Sequence, residues 1–382
     1  TTHVAVLRLC PPRAARGAGM DSGARRRVGS SSRALRRIAS ASVSGAELAS
    51  ALEPGDVALA VACTAGPTAA RALRLAGRAL CRSTSEVLPA VLAQCPARLY
   101  VCGGCCTSFI PELQGRAEVF QPATGIWEAL PPWSLRQEGV AAAAIGGKVY
   151  VCGGFRGSRY LSRAVRLDPS ASKWEVLPRM SAKRGGAAAA AMAGCLYVCG
   201  GFRGTQRLRT TERFDPATNS WQTLPPMASK RGSAVAAVAS RQLYICGGFD
   251  GCEFLSSAEC FNPTDGAWVA VAPMSVCRTG AAAATVSGVI HVCGGFHVVA
   301  YLSSAERYDP AMGAWEALPP MGVKRMGAAA AAIAGQIYVC GGSDGNQYLN
   351  SAERLGLAGS SWEALPAMRW PRRGAAAAAA VP

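Results

Sequence analysis

Histidine is almost missing from this chain. The 382 residues include only His3, His291 and His297, too few and too scattered to assemble a histidine metal centre or a Ser-His-Asp triad. Long apolar runs are missing too. Spanning a bilayer takes about 20 predominantly apolar residues, and the best candidates, Val57–Ala65 and the alanine tract Ala375–Val381, are far shorter. No stretch follows GxxxxGK[ST], so no nucleotide loop is indicated. Acidic residues are the other shortage: 23 stand against 40 Lys+Arg, for a net charge of +17. The excess divides into 13 Arg against 5 acids in residues 1–95 and 27 Lys+Arg against 18 acids in 96–382. Such a balance favours acidic partners. With no recognition motif beside it, it does not mark dedicated nucleic-acid binding, and no membrane partner is expected.

What is abundant is repetition. Glycine pairs at Gly103-Gly104, Gly153-Gly154, Gly200-Gly201, Gly247-Gly248, Gly294-Gly295 and Gly341-Gly342 recur at 47 residues after a first interval of 50, and Trp127, Trp174, Trp221, Trp268, Trp315 and Trp362 recur at 47 throughout. Six of the sixteen cysteines (Cys102, Cys152, Cys199, Cys246, Cys293, Cys340) precede the glycine pairs. A cysteine locked to a repeat is a small buried apolar residue. Equivalent positions in different units face different sectors, so these six should not pair, as in a reducing compartment.

Each unit reads as four short strands: an alanine-rich run such as Gly327–Ile333, an Ile-Tyr-Val-Cys run such as Ile337–Cys340, then Ser304–Tyr308 and a strand opening at Trp315 in the preceding unit. Asp309-Pro310 with Gly313 supplies turn chemistry between the third and fourth. Four-stranded sheets with two apolar faces must stack, and closing the stack into a ring removes the exposed ends.

The hydrophobic strand, the diglycine and an aromatic seven residues before tryptophan (Phe120, Phe214, Phe261, Tyr308; Leu167 and Leu355 in two units) resemble the kelch repeat. The resemblance implies an all-β fold over residues 96–382: a six-bladed kelch β-propeller. Inner strands begin near 137, 184, 231, 278, 325 and 372, and the last, Gly374–Val381, has no second strand after it. It is therefore expected to complete the blade begun at Arg98–Leu130 and close the ring; Val87–Ala93 is the alternative occupant of that place.

Residues 1–45 carry nine arginines and one acid, Asp21. They read as a basic disordered tail, or as a segment resembling an organelle transit peptide. Residues 46–95 read as a short, partly helical segment, with Arg71, Arg74, Arg78 and Arg82 on one stripe. Glu47–Cys63 faintly resembles a degenerate F-box; a structural helical cap is the other reading. A BTB-plus-BACK arrangement needs more residues than these.

Arginine stands ten residues after five of the six tryptophans: Arg184, Arg231, Arg278, Arg325 and Arg372, with Gln137 in the sixth place. The face on which inner strands begin also carries Phe155-Arg156, Phe202-Arg203, Phe249-Asp250, Phe296-His297 and Ser343-Asp344. In kelch substrate adaptors this face binds partner peptides, and arginine's planar fork suits a carboxylate. Two readings stay open for the five arginines: a partner-binding ring, with Arg156, Arg203 and His297 beside it, or pairing with Glu212, Glu259, Glu306 and Glu353 of the repeats. The resemblance implies a non-enzymatic module, without cofactor, that binds an acidic or phosphorylated protein segment. A substrate receptor of a cullin-RING ubiquitin ligase, recruiting a Skp1/cullin-type adaptor in the cytoplasm or nucleus, fits it. The alternatives are a cytoskeletal or scaffold protein and a propeller enzyme of the galactose-oxidase type. Against the last, Cys102-x-x-Cys105-Cys106 encloses the diglycine itself, and His291 stands on a strand in place of a repeated tyrosine.

Overall fold

The computed structural model describes residues 97–105, 117–131, 137–356 and 361–381. These form six antiparallel blade sheets built on four strands each, one with a short fifth strand, and two small two-stranded hairpins, with no helix among the described residues. The tail and helical segment expected before them, and with them the F-box resemblance, lie outside the described residues.

Blade 4 shows how sequence becomes sheet. Its innermost strand, Val235–Ala239, pairs with Gln242–Cys246, which pairs with Ala258–Asn262, which pairs with Ala267–Val271 at the outside. The second strand is covered on both faces, so Leu243, Tyr244, Ile245 and Cys246 are all buried rather than alternating. The outermost strand faces solvent along much of its length. The two-residue turn between first and second strands needs positive φ at both positions; here Ser240 and Arg241 adopt it at 49° and 58° without glycine.

Blades join through six apolar clusters. Between blades 4 and 5, Tyr244, Cys246 and Met274 pack on Ile290, Val292 and Tyr308, and the other five junctions are built alike. Fully burying a Leu or Phe side chain contributes about 1.5–3 kcal/mol, so each junction depends on its neighbour being present. The tryptophan indoles point the same way. Each donates its N–H to a carbonyl 43 residues earlier, as Trp268 does to Pro225 at 3.0 Å, and Trp127 completes the circle by donating to Pro366 at 2.8 Å. The innermost strands touch in a closed ring.

Closure is made by the C-terminal strand. Arg373–Ala380 lies antiparallel to Arg98–Cys105, from Arg98 opposite Ala380 to Cys105 opposite Arg373. The place beside Arg98–Cys105 that Val87–Ala93 was the alternative to fill is therefore taken.

Deleting Arg373–Pro382 should strip blade 1 of its inner strand. At about 2–4 °C per kcal/mol for a large domain, a loss of about 5 kcal/mol lowers the melting temperature by about 10–20 °C; an unchanged calorimetric melt contradicts the closure. Burial pushes the thiols of Cys102, Cys199, Cys246, Cys293 and Cys340 up to about 12. An unfolded thiol ionises near about pH 8.5, so this contribution is complete below that pH and is lost as pH rises toward 12. At pH 8 a thiol reagent should modify exposed Cys252 and leave the six repeat cysteines intact until unfolding. Mass mapping that finds Cys246 labelled as fast as Cys252 in native protein contradicts this placement.

Candidate functional site

The loops entering the innermost strands of blades 3, 4, 5, 6 and 1 carry Arg184, Arg231, Arg278, Arg325 and Arg372. None stands on the rim. Arg231 is 1% exposed, and its Nε and Nη2 donate to Glu259 Oε1 at 3.0 and 2.9 Å. Its Nη1 donates to the carbonyls of Gly247 and Ser257, and Nη2 also donates to Ser257 Oγ. The second oxygen of Glu259 accepts the backbone N–H of Ala228 at 2.7 Å. The pairing recurs between Arg184 and Glu212, Arg278 and Glu306, Arg325 and Glu353, and Arg372 and Glu118.

The expected ring of partner-binding arginines is thus corrected for these five positions. The glutamate is the second residue of each third strand and faces the arginine inside the blade, so the guanidinium is drawn inward. Two charges removed from water are tolerable only when geometry is good and the remaining donors are satisfied. In Arg184, Arg231, Arg278 and Arg325 all five N–H donors are occupied. Each arginine also ties two blades, because its carbonyl accepts the N–H of the second glycine of the preceding blade's pair, as Gly201 donates to Arg231 at 2.8 Å. A side chain on Gly200, at φ 62°, would overlap that same carbonyl.

Blade 2 departs from this plan twice, in concert. Gln137 replaces the arginine and Val165 the glutamate; both are buried, and Gln137 Nε2 has no hydrogen-bond partner. The paired loss was legible in the sequence as a missing glutamate exactly 47 residues from Glu118 and from Glu212, as was Glu118 itself.

Beyond each diglycine of blades 2 to 6, a short hairpin or bridge rises from the face. Its base is aromatic and packed: Phe249 on Phe254 at 5.1 Å, Phe254 on Phe296 at 5.8 Å, Phe296 on Tyr301 at 5.1 Å. Arg207 lies over the rings of Phe202 and Phe249 at 4.7 and 5.1 Å. Arg156 and Arg203 are exposed at the tips in blades 2 and 3, and His297 is half-buried in blade 5. Asp250 and Asp344 hold the matching places in blades 4 and 6, where turn N–H groups bond them and lower their pKa.

Arg203 joins four cations absent from the sequence's candidate set. A cleft of about 730 Å³ between blades 2 and 3 is lined by Arg159, Arg163, Arg179, Lys183 and Arg203, with no carboxylate in its wall. None of the five forms an ion pair among the described residues. Arg156 and His297 do not line it. The cleft was hidden from repeat-based reading because Arg159, Arg163 and Arg179 depart from the residues that the following units carry at those places. His291 is buried, its Nδ1 3.1 Å from the Val289 carbonyl, and burial lowers its pKa. Among the described residues no group of three or more His, Cys, Asp or Glu is arranged to hold a metal ion, and no helix is long and apolar enough to cross a membrane.

Comparison with known proteins agrees with this architecture. The KLHDC2/KLHL20/DRC7 Kelch-repeats domain matches residues 90–295, and the Kelch motif matches residues 277–322 and 324–369. The solved structure of YjhT is similar over 65% of this chain and 89% of that one, at 18% identity and a TM-score of 0.57, a likeness of fold alone. No curated protein matches the chain.

The buried pair generates a cycle that blade 2 already rehearses. Arg231→Gln should destabilise by about 3–5 kcal/mol, because it leaves Glu259 charged and unpaired in the interior. Adding Glu259→Val reproduces Gln137 with Val165 and should recover most of that loss in urea melts. A double variant no more stable than the single one contradicts the bracing role.

Proposed function

Because the chain belongs to the kelch-repeat β-propeller family, we propose that it is a protein-interaction module, not an enzyme, whose hairpin-bearing face holds an acidic or phosphorylated segment of another protein. The observation that carries this is the uncompensated positive charge of blades 2 and 3 on that face. Charge-assisted hydrogen bonds between arginine and carboxylate are the chemistry it offers. The aromatic bases of the hairpins give the cations a fixed platform, so little ordering is needed on binding. Acidic tips on blades 4 and 6 restrict where a negatively charged segment can lie, which supplies register as well as attraction.

Such a module serves as the substrate receptor of a cullin-RING ligase when another part of the chain recruits the adaptor. The F-box resemblance of Glu47–Cys63 supports that role, in the cytoplasm or nucleus. A cytoskeletal or scaffold role uses the same face without the adaptor.

The test is binding of the full chain to an Asp/Glu-rich peptide pool. Arg156→Glu with Arg203→Glu should weaken binding at least tenfold, since each charge-assisted bond contributes about 1.5–3 kcal/mol and about 1.4 kcal/mol is a decade. Both side chains are exposed, so the melting temperature should stay put. Unchanged affinity in the folded double variant overturns the reading. Retention of a purified Skp1-type adaptor by the full chain, lost on deleting residues 46–95, is the outcome expected of a ligase receptor; no retention removes that role and leaves the interaction module standing.

A further inference from the structure

We propose that the cleft between blades 2 and 3 is a phosphate site that takes the dianionic group of a phosphorylated serine or threonine in a bound protein segment. This deepens the acidic-segment reading and rests on it. Five cations face one cleft of about 730 Å³ whose wall holds no acid. Their mutual repulsion is relieved only in part by a single carboxylate. A phosphate brings close to two negative charges and three acceptor oxygens to the same point, and guanidinium forks bind such oxygens in pairs. Ser158 and Tyr160, also in the wall, add hydroxyl donors.

The repeat sets this charge apart from the junctions that follow it, whereas blade 1 keeps arginine, Arg116, in the place of Arg163. In blades 3 to 6 the position of Arg163 is held by Thr210, Ser257, Ser304 and Ser351. There the hydroxyl accepts from the buried arginine at 2.8–2.9 Å. In blade 2 the buried arginine is Gln137, that hydroxyl has no task, and Arg163 turns to the cleft instead. The position of Arg179 is held by Pro226, Pro273 and Pro320 in the next three units. Two repeats on, the places of Arg159, Arg163, Arg179, Lys183 and Arg203 are taken by Glu253, Ser257, Pro273, Cys277 and His297. The equivalent junction of blades 4 and 5 therefore carries none of this charge.

A single phosphorylated side chain suits the cleft better than an extended polyanion. A nucleic acid following the face would leave the cleft and meet Asp250 and Glu253 on blade 4, whereas its affinity depends on consecutive phosphate contacts.

The experiment uses the full chain and three immobilised peptide libraries of random flanks around a fixed phosphoserine, glutamate or serine. The phosphoserine library should be retained at least tenfold more strongly than the glutamate library, and inorganic phosphate should compete. Arg163→Ser and Arg179→Pro install residues that other blades already carry, so the melting temperature should be unchanged. Together they should abolish the tenfold preference, while glutamate-library binding, held also by Arg156 and Arg203, falls by a smaller factor than phosphoserine-library binding. Equal retention of phosphoserine and glutamate libraries overturns the phosphate site and spares the acidic-segment reading; retention of neither overturns both. A preference that survives both substitutions, or that a single-stranded oligonucleotide displaces more effectively than a phosphoserine peptide, also overturns it.

Discussion

A guanidinium and a carboxylate sealed away from water must satisfy each other completely, and in this propeller that demand is met five times by geometry that also binds blade to blade. The arginine holds its own blade through the glutamate in the third strand and the carbonyl of the first glycine of the pair, while its backbone carbonyl receives an N–H from the blade before. The glycines are required where that carbonyl approaches. The loop between blades is pinned because the glutamate's second oxygen takes one of its N–H groups. Remove the charge pair and the loop, the glycine contact and the strand entrance lose a common anchor.

Blade 2 shows what this constraint permits. With arginine and glutamate both gone, valine and glutamine fill the space without a buried charge, consistent with the general finding that an apolar replacement of a whole ion pair is tolerated where loss of one partner is not. The replacement released a neighbouring position from its structural duty. Arg163 stands where, in blades 3 to 6, serine or threonine serves the buried arginine, and in blade 2 it lines the cleft with the other cations.

The architecture was legible in the sequence because propeller physics is periodic: glycine pairs, tryptophans and alanine runs each repeat at the interval of one blade, and the unpaired last strand announced the closure. The buried methionines Met180, Met227, Met274, Met321 and Met368 obey the same interval and could have been found by it. The site was harder. Arg184, Arg231, Arg278, Arg325 and Arg372 look like a ring of binding groups precisely because they are periodic, yet in a stacked fold periodicity marks what every blade needs in order to stand. The cleft residues Arg159, Arg163 and Arg179 are aperiodic, and it is departure from the repeat that separates the face's chemistry from its scaffolding.

The closing ladder has a direction that matters under load. Arg98 and Ala380 face each other at one end, and Cys105 with Arg373 at the other. Tension between the segment before Arg98 and the residues after Ala380 would therefore open the ladder as a zip, one rung at a time, rather than shearing all rungs together. The Arg372–Glu118 clasp lies beyond the last rung, so it is the final tie to feel the pull. The propeller's mechanical weak point is thus the meeting place of its two chain ends, and whatever fastens those ends side by side in the cell sets how much force the ring can bear.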